Sequence, residues 1–365
     1  MHVATDGQIF RRQRFGGISR MFTSIEKYIN LQPAHDIDFK IIAPLHYNSY
    51  LSNKLNLDFP RRRITRIPNK IRPLIDNVNR ELSIRQLGKF QPKVLHETFY
   101  LDEFPEMLIP RVTTIFDMTR EIIDENWERL ALKRKAVERA NHIICISENT
   151  KKDFLEYIPC DESKVSVVHL GLDKPSTFSA KSDPPKNNSR PYILYVGDRA
   201  GYKNFLVLLE AYAISSDLRK NYRIVAFGGG DPDSHEIANM NRLSLSERDI
   251  TFISGDDSVL DYAYRHACVF VYTSRYEGFG LPPLEAMIRG CPVVSSNSSS
   301  LPEVLGQAPH FFDYSSAEDL RDALCKVLTD GEHREALIKK GLSQADKYKW
   351  ETVANLHSRI YKELI

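Results

Sequence analysis

The chain has 365 residues, 42% hydrophobic and 27% charged, with a formal net charge of +2. That length exceeds one ordinary core and predicts two or three domains of a globular protein. Near-neutral charge excludes a dedicated nucleic-acid binder, and no apolar run is long enough to span a bilayer.

The opening stretch, Met1 to Phe15, lacks the apolar core of a secretory leader, which predicts a cytoplasmic protein, at most peripheral at the inner face of a membrane. The five cysteines are scattered and contain no C-x-x-C pair. They predict neither a disulfide framework nor a metal site, and Cys145, Cys268 and Cys291 sit beside apolar runs as small hydrophobes. Gln13 to Arg20 carries the pair Gly16-Gly17 and leads into a predicted helix from Met21 to Ile29. Strands are predicted at Phe39–Ala43, Val112–Phe116, His142–Ile146 and Val165–Val168, with helices at Glu125–Arg139 and Asn149–Tyr157. Between the first two strands, Arg61, Arg62, Arg63, Arg66, Lys70 and Arg72 form a basic stretch. It reads as a solvated loop or as a dock for an anionic membrane, where each cation adds roughly 1 kcal/mol.

Gly171 to Pro191 is rich in Pro, Ser, Asn and Lys and reads as a linker. It predicts a first domain over residues 1–172 and a second over 190–349, with a last helix, 350–365, packing back on the first. The second half offers strands at Tyr192–Val196, Arg223–Phe227, Ile250–Ile253, Val269–Tyr272 and Pro292–Ser295. Continuous apolar runs of this length, alternating with helical patterns, are those of buried parallel strands. The predicted class is therefore α/β, two doubly wound Rossmann-like domains facing a central cleft, with ligands at the carboxyl ends of the strands.

Two stretches in the second half follow strands directly. In Gly197 to Asn204, Arg199 and Lys203 lie four apart at a helix entry, so both cations can address one anion. In Ser274 to Glu285, Gly278 and Gly280 let backbone amides approach a ligand, and a helix opens at Leu281. Glu277 and Glu285 would repel a phosphate, so they suit sugar and ribose hydroxyls instead. Gly228 opens the run Gly228–Gly230 after another strand and predicts a close-approach loop. Each motif also has a plainer reading: a capped glycine turn, surface charge, an ordinary helix start.

Taken together these residues resemble the large retaining family of glycosyltransferases with the GT-B fold, the family 4 or group 1 type. The resemblance rests on Asp6–Phe10 with Gly16–Arg20, on Arg134–Asn149, on Tyr192–Asn204, and on Tyr276–Glu303 with its Ser299–Glu303 run. It implies a metal-independent hexosyltransferase with no cofactor, taking a GDP- or UDP-linked sugar such as GDP-mannose to a glycan or lipid-linked acceptor in surface polysaccharide synthesis. It implies Arg199 and Lys203 on the diphosphate and Glu277 with the Phe279–Leu281 amides on the sugar. Glu285 falls on the ribose, and Gly16-Gly17 face the phosphates. Similar enzymes carry a His-Asp pair after a first-domain strand; here the match is Phe116-Asp117. Asp117 is then the acceptor-side candidate, or the cap of the next turn. His96 is a second acceptor candidate, or a structural histidine. A donor-binding protein without transferase activity and another nucleotide-sugar enzyme, such as an epimerase, are the alternatives.

Overall fold

In this computed structural model, residues 1–32, 36–51, 61–64, 72–101, 108–174 and 190–365 are described. The chain divides into two compact units, Met1–Gly171 with Lys349–Ile365, and Leu172–Tyr348. Residues 175–189 of the predicted linker lie outside the described residues, as do Arg66 and Lys70 and the side chain of Arg72.

In the first unit the strands are β1 (His2–Thr5), β2 (Asp38–Ile41), β3 (Leu45–His46), β4 (Arg62–Arg63), β5 (Val94–Glu97), β6 (Arg111–Ile115), β7 (His142–Cys145) and β8 (Val165–Val167). The helices are α1 (Gly17–Asn30), α2 (Arg72–Phe90), α3 (Thr119–Ile123), α4 (Trp127–Arg139) and α5 (Glu148–Tyr157). One parallel sheet runs β2-β1-β5-β6-β7-β8, and β3 pairs with β4 separately. Neither β1 nor β5 was expected where it lies. Each is four residues long and carries polar side chains, so its apolar signal is weak, yet β1 pairs with β2 and β5 in the middle of the sheet.

The second unit holds β9 (Tyr192–Val196), β10 (Arg223–Phe227), β11 (Ile250–Ile253), β12 (Val269–Tyr272), β13 (Val293–Ser296) and β14 (His310–Phe312). Its helices are α6 (Phe205–Ala213), α7 (Ser216–Asn221), α8 (Ser234–Arg242), α9 (Asp257–His266), α10 (Leu281–Met287), α11 (Leu301–Leu305), α12 (Ala317–Thr329) and α13 (Gly331–Ala345). The sheet is parallel in the order β11-β10-β9-β12-β13-β14. Helices cover it, so β10 and β12 are buried at every position, which is why their sequences are continuous apolar runs. Ile193, Ile224, Val269 and Val271 join Leu208 and Tyr212 of α6 and Leu320 and Leu324 of α12 in one core. Each large aliphatic side chain buried this way stabilises by about 1.5–3 kcal/mol.

The last helix, α14 (Trp350–Glu363), belongs to the first unit. Trp350 lies so close to Gly171 that a Cβ there would come within 2.4 Å of its ring, so residue 171 must be glycine. Tyr361 stacks on Phe39 with ring centroids 6.0 Å apart. In each sheet the chain winds one way and then the other about a single strand. The reversal falls between β1 and β5 in the first unit and between β9 and β12 in the second. Ligands of doubly wound sheets bind at the carboxyl side of such a reversal.

Candidate functional site

The loops that follow β9 and β12 are the two at the reversal point of the second sheet. After β9 the chain makes a tight turn, Gly201–Lys203, and Asn204 adopts a left-handed conformation (φ 56°) from which α6 starts. After β12 it runs through Thr273 to Gly280 into α10. The two loops are stitched together: the Thr273 hydroxyl donates to the Lys203 carbonyl at 2.7 Å, and the Arg275 amide to the Tyr202 carbonyl at 2.8 Å.

This stitching brings Lys203 and Glu277 into direct contact, Nζ to Oε1 at 2.6 Å, with side chains only 19% and 12% exposed. Burial pulls the Lys203 ammonium down, but the Glu277 carboxylate and the neighbouring Tyr202 outweigh it and hold Lys203 above its ordinary 10.5. The rings of Tyr202 and Tyr272 flank the ammonium, with centroids 5.0 and 5.8 Å away. By residue type and motif, Lys203 suits a phosphate and Glu277 a sugar. The structure makes them partners of each other, because adjacent strands in the sheet order carry them.

A run of serines after β13 supports Glu277. The Glu277 amide donates to Ser299 Oγ and its carbonyl accepts from Ser300 Oγ, both at 2.8 Å. Ser296 and Ser298 donate to the Ser274 carbonyl at 2.6 and 3.0 Å. Chemical reasoning from the sequence assigned these serines no task. Their clustering in Ser295–Ser300, at a strand's carboxyl end, was the available signal.

Arg199 requires a correction. Its side chain is 3% exposed and its guanidinium is spent inside the unit. Nε donates to Glu236 Oε1 at 2.5 Å, and one terminal nitrogen donates to the Gly228 carbonyl at 2.5 Å. The other reaches the Gly230 and Asp231 carbonyls and Glu236 Oε2, at 3.1, 3.3 and 3.2 Å. It is therefore not an open cation beside Lys203. Its planar fork fits the curved backbone of Gly228–Asp231. Gly228, Gly229 and Gly230 all have positive φ, and a Cβ on Gly229 would lie 2.7 Å from the guanidinium. The predicted close approach at Gly228 thus exists, but to Arg199 and Gly197 of the chain itself.

In the glycine loop Gly280 has φ +97°, and a Cβ there would lie 2.6 Å from Leu301 Cδ2. Gly278 and Phe279 are buried, Leu281 half-buried. Phe279 packs edge-on against Tyr348 at 5.5 Å. Because Pro282 and Pro283 lack N–H groups, the first turn of α10 offers fewer donors than an ordinary helix start. Glu285 is 8% exposed and faces α9, where the Tyr264 hydroxyl donates to it at 3.3 Å.

In the first unit Gly16 caps α1 in an extended conformation, and Gly17 is the first, exposed residue of that helix. Asp117 is half-buried after β6, its Oδ1 accepting from the Thr119 amide at 3.1 Å. That is the turn-capping reading, and it leaves the second carboxylate oxygen without a hydrogen bond from the described residues. Phe116 is 6% exposed against Phe22.

His96 is corrected. It lies inside β5, fully buried, bonded to Tyr361 Oη of α14 at 2.7 Å and to Thr114 Oγ1 at 2.8 Å, so it cannot touch an acceptor. Burial pushes its imidazole well below the ordinary 6.5, keeping it neutral. Arg61 is corrected too. It is buried, donating to the Ile41 carbonyl at 3.0 Å and to Glu26, so it contributes no surface charge. Arg62 alone of the described basic stretch is exposed; Arg63 is half-buried. Among the described residues no group of three or more His, Cys, Asp or Glu is placed to hold a metal ion. No helix among them is long and apolar enough to cross a membrane.

The pattern of the family described as "Glycosyltransferase Family 4" matches residues 16–174, and that of "Glycosyl transferases group 1" matches residues 177–344. The chain belongs to these glycosyltransferases. A serotype-specific mannosyltransferase WbdA of Escherichia coli is 28% identical over 260 residues, covering 66% of this chain and 31% of that protein. O-antigen chain mannosyltransferase B of Escherichia coli is 35% identical over 175 residues, covering 47% of this chain and 46% of that protein. This glycosyltransferase chain thus spans less than half the length of either curated relative. Its fold is GT-B, shared with the sucrose-phosphate synthase of Thermosynechococcus elongatus at a TM-score of 0.76 and 17% identity, over 100% of this chain and 98% of that one.

Proposed function

We propose that this chain moves a hexose, with retention, from a nucleotide-diphosphate sugar to a glycan or lipid-linked acceptor in surface polysaccharide synthesis. The observation that carries the reading is the Lys203–Glu277 pair, held at the reversal point of the second sheet beside a glycine loop. One cation and one carboxylate in contact, partly shielded from water, match the two halves of a sugar phosphate. The ammonium suits the diphosphate and the carboxylate suits the sugar hydroxyls. The relatives named as mannosyltransferases favour mannose, and hence GDP-mannose, as the donor.

In the reaction the bond from the anomeric carbon to the phosphate oxygen breaks and its electron pair leaves on the diphosphate. Lys203 stabilises that charge without a metal ion. The acceptor oxygen attacks from the face the phosphate leaves, and its proton passes to the departing phosphate oxygen, so no histidine is needed at Phe116. Asp117 of the first unit receives the acceptor hydroxyl, and Arg199 keeps the Gly228–Asp231 loop in shape.

A panel of UDP-, GDP-, ADP- and dTDP-sugars tests this, scoring binding and nucleotide release for the native chain and for Glu277→Ala. GDP-mannose should bind and turn over, and Glu277→Ala should abolish release. A UDP-hexose turned over instead would overturn the mannose assignment. Binding with no transfer or hydrolysis would make the chain a donor-binding protein, and release of a free epimerised donor would make it an epimerase. If no nucleotide-sugar binds at millimolar concentration, the site assignment is wrong.

A further inference from the structure

Lysine is almost never fully buried unless it is paired. Lys133 of α4 is wholly buried, and its partner Glu121 of α3 is 1% exposed, Nζ to Oε2 at 2.8 Å. Arg129, 30% exposed, stands behind the same carboxylate at 3.9 Å. A buried ion pair of this kind is seldom more stable than apolar side chains of the same size would be, because both charges have left water. Stability alone therefore gives no reason for a charged pair at this place.

The other contacts of the ammonium supply a reason. It donates to the Asp117 backbone carbonyl at 2.5 Å and lies 3.5 Å from Met118 Sδ, so all three of its N–H donors are engaged. The Tyr100 ring lies beneath it, its centroid 5.5 Å away. Asp117 sits on the turn between β6 and α3, at the carboxyl end of a strand, where loops carry ligand-binding residues. That turn is held from outside by Asp117 Oδ1 on the Thr119 amide and from inside by Lys133 on the Asp117 carbonyl. Between them the two contacts determine where the remaining carboxylate oxygen of Asp117 points.

We propose that Lys133 is a positioning residue for the acceptor: its buried ammonium, balanced by Glu121, fixes the Asp117 peptide and so aims the Asp117 carboxylate. This rests on reading Asp117 as the acceptor-side carboxylate. Lys133 touches no substrate, and its effect passes through the turn. Burial lowers the ammonium from its ordinary 10.5, while Asp117 and Glu121 work to raise it and Arg129 to lower it.

Lys133→Ala is a poor test, because it strands Glu121 in the interior. The informative variant is Lys133→Met with Glu121→Met, which removes both charges and keeps the volume. It should fold, melt close to the native chain and bind GDP-mannose with native affinity, since Lys203 and Glu277 lie in the other unit. With octyl α-mannoside as the probe acceptor, its KM should rise about tenfold or more, the size of effect that a displaced positioning group produces. Lys133→Arg, which keeps a charge and a donor, should recover part of that loss. Amide hydrogen exchange of the peptide spanning residues 114–122 is read in parallel and needs no activity. The double variant should exchange faster there than the native chain, and Lys133→Arg should lie between them. Unchanged exchange in the double variant would overturn the proposal, as would an unchanged acceptor KM. If the native chain transfers nothing to the mannoside, the functional reading fails by itself, and the exchange comparison still decides if Lys133 orders the Asp117 turn.

Discussion

The Lys203–Glu277 contact can be tested through its energetics by making Lys203→Met, Glu277→Gln and the double variant. Each single change leaves a mostly buried charge without its partner. A fully buried pair broken this way loses 3–5 kcal/mol; with 19% and 12% of these side chains still meeting water, about 2–3 kcal/mol is expected from each. For a unit of this size that lowers the melting temperature by roughly 4–12 °C. The double variant leaves no orphaned charge, so it should be more stable than the sum of the singles by about 1–3 kcal/mol. Chemical denaturation of the four proteins measures the coupling. The pH dependence has a definite sign. Lys203 is held above its ordinary 10.5, so its share of stability is complete below about that pH and is lost as the pH rises through its folded value. Strictly additive losses, with coupling near zero, would refute the pairing and with it the central geometry of the site.

Other measurements follow from the same structure. Arg199→Lys cannot reproduce the fork that spans Gly228, Gly230, Asp231 and Glu236. It should cost about 2–3 kcal/mol in urea denaturation and quicken hydrogen exchange of residues 228–236, whereas a pure phosphate ligand would alter donor binding alone. Gly280→Ala puts a Cβ into Leu301 at φ +97° and should destabilise by about 1–3 kcal/mol and weaken donor binding; a native melting temperature would contradict this loop geometry. Burial holds His357 at about 4, down from 6.5, so its contribution is complete above pH 6.5 and lost as the pH falls towards 4. Between pH 7.5 and pH 5 that loss amounts to about 2 kcal/mol, and His357→Leu should remove this share of the acid sensitivity in thermal melts, leaving that of the buried, neutral His96.

Much of this protein is written locally. The strands β9, β10, β11 and β12 span the residues that continuous apolar runs predicted, because a strand buried on both faces must be apolar at successive positions. Glycine loops after β9, β10 and β12 were legible for a similar reason, since a positive φ is a local demand, met at Gly228 and Gly280. Pairings across the sheet were not legible. Lys203 and Glu277 are 74 positions apart and meet because β9 and β12 are neighbours in the strand order, a consequence of crossover topology that no window of sequence contains. The same gap hid His96, whose partner Tyr361 lies 265 positions away on the helix that returns to the first unit. Charge suggests a surface loop at Arg61 and an open anion ligand at Arg199, yet each is buried against a carboxylate that folding brings to it. Residue type and local pattern thus determined the elements and the class of chemistry. Which charged groups stay open to a ligand was decided only by tertiary packing, because a charge leaves water only where the fold supplies its partner.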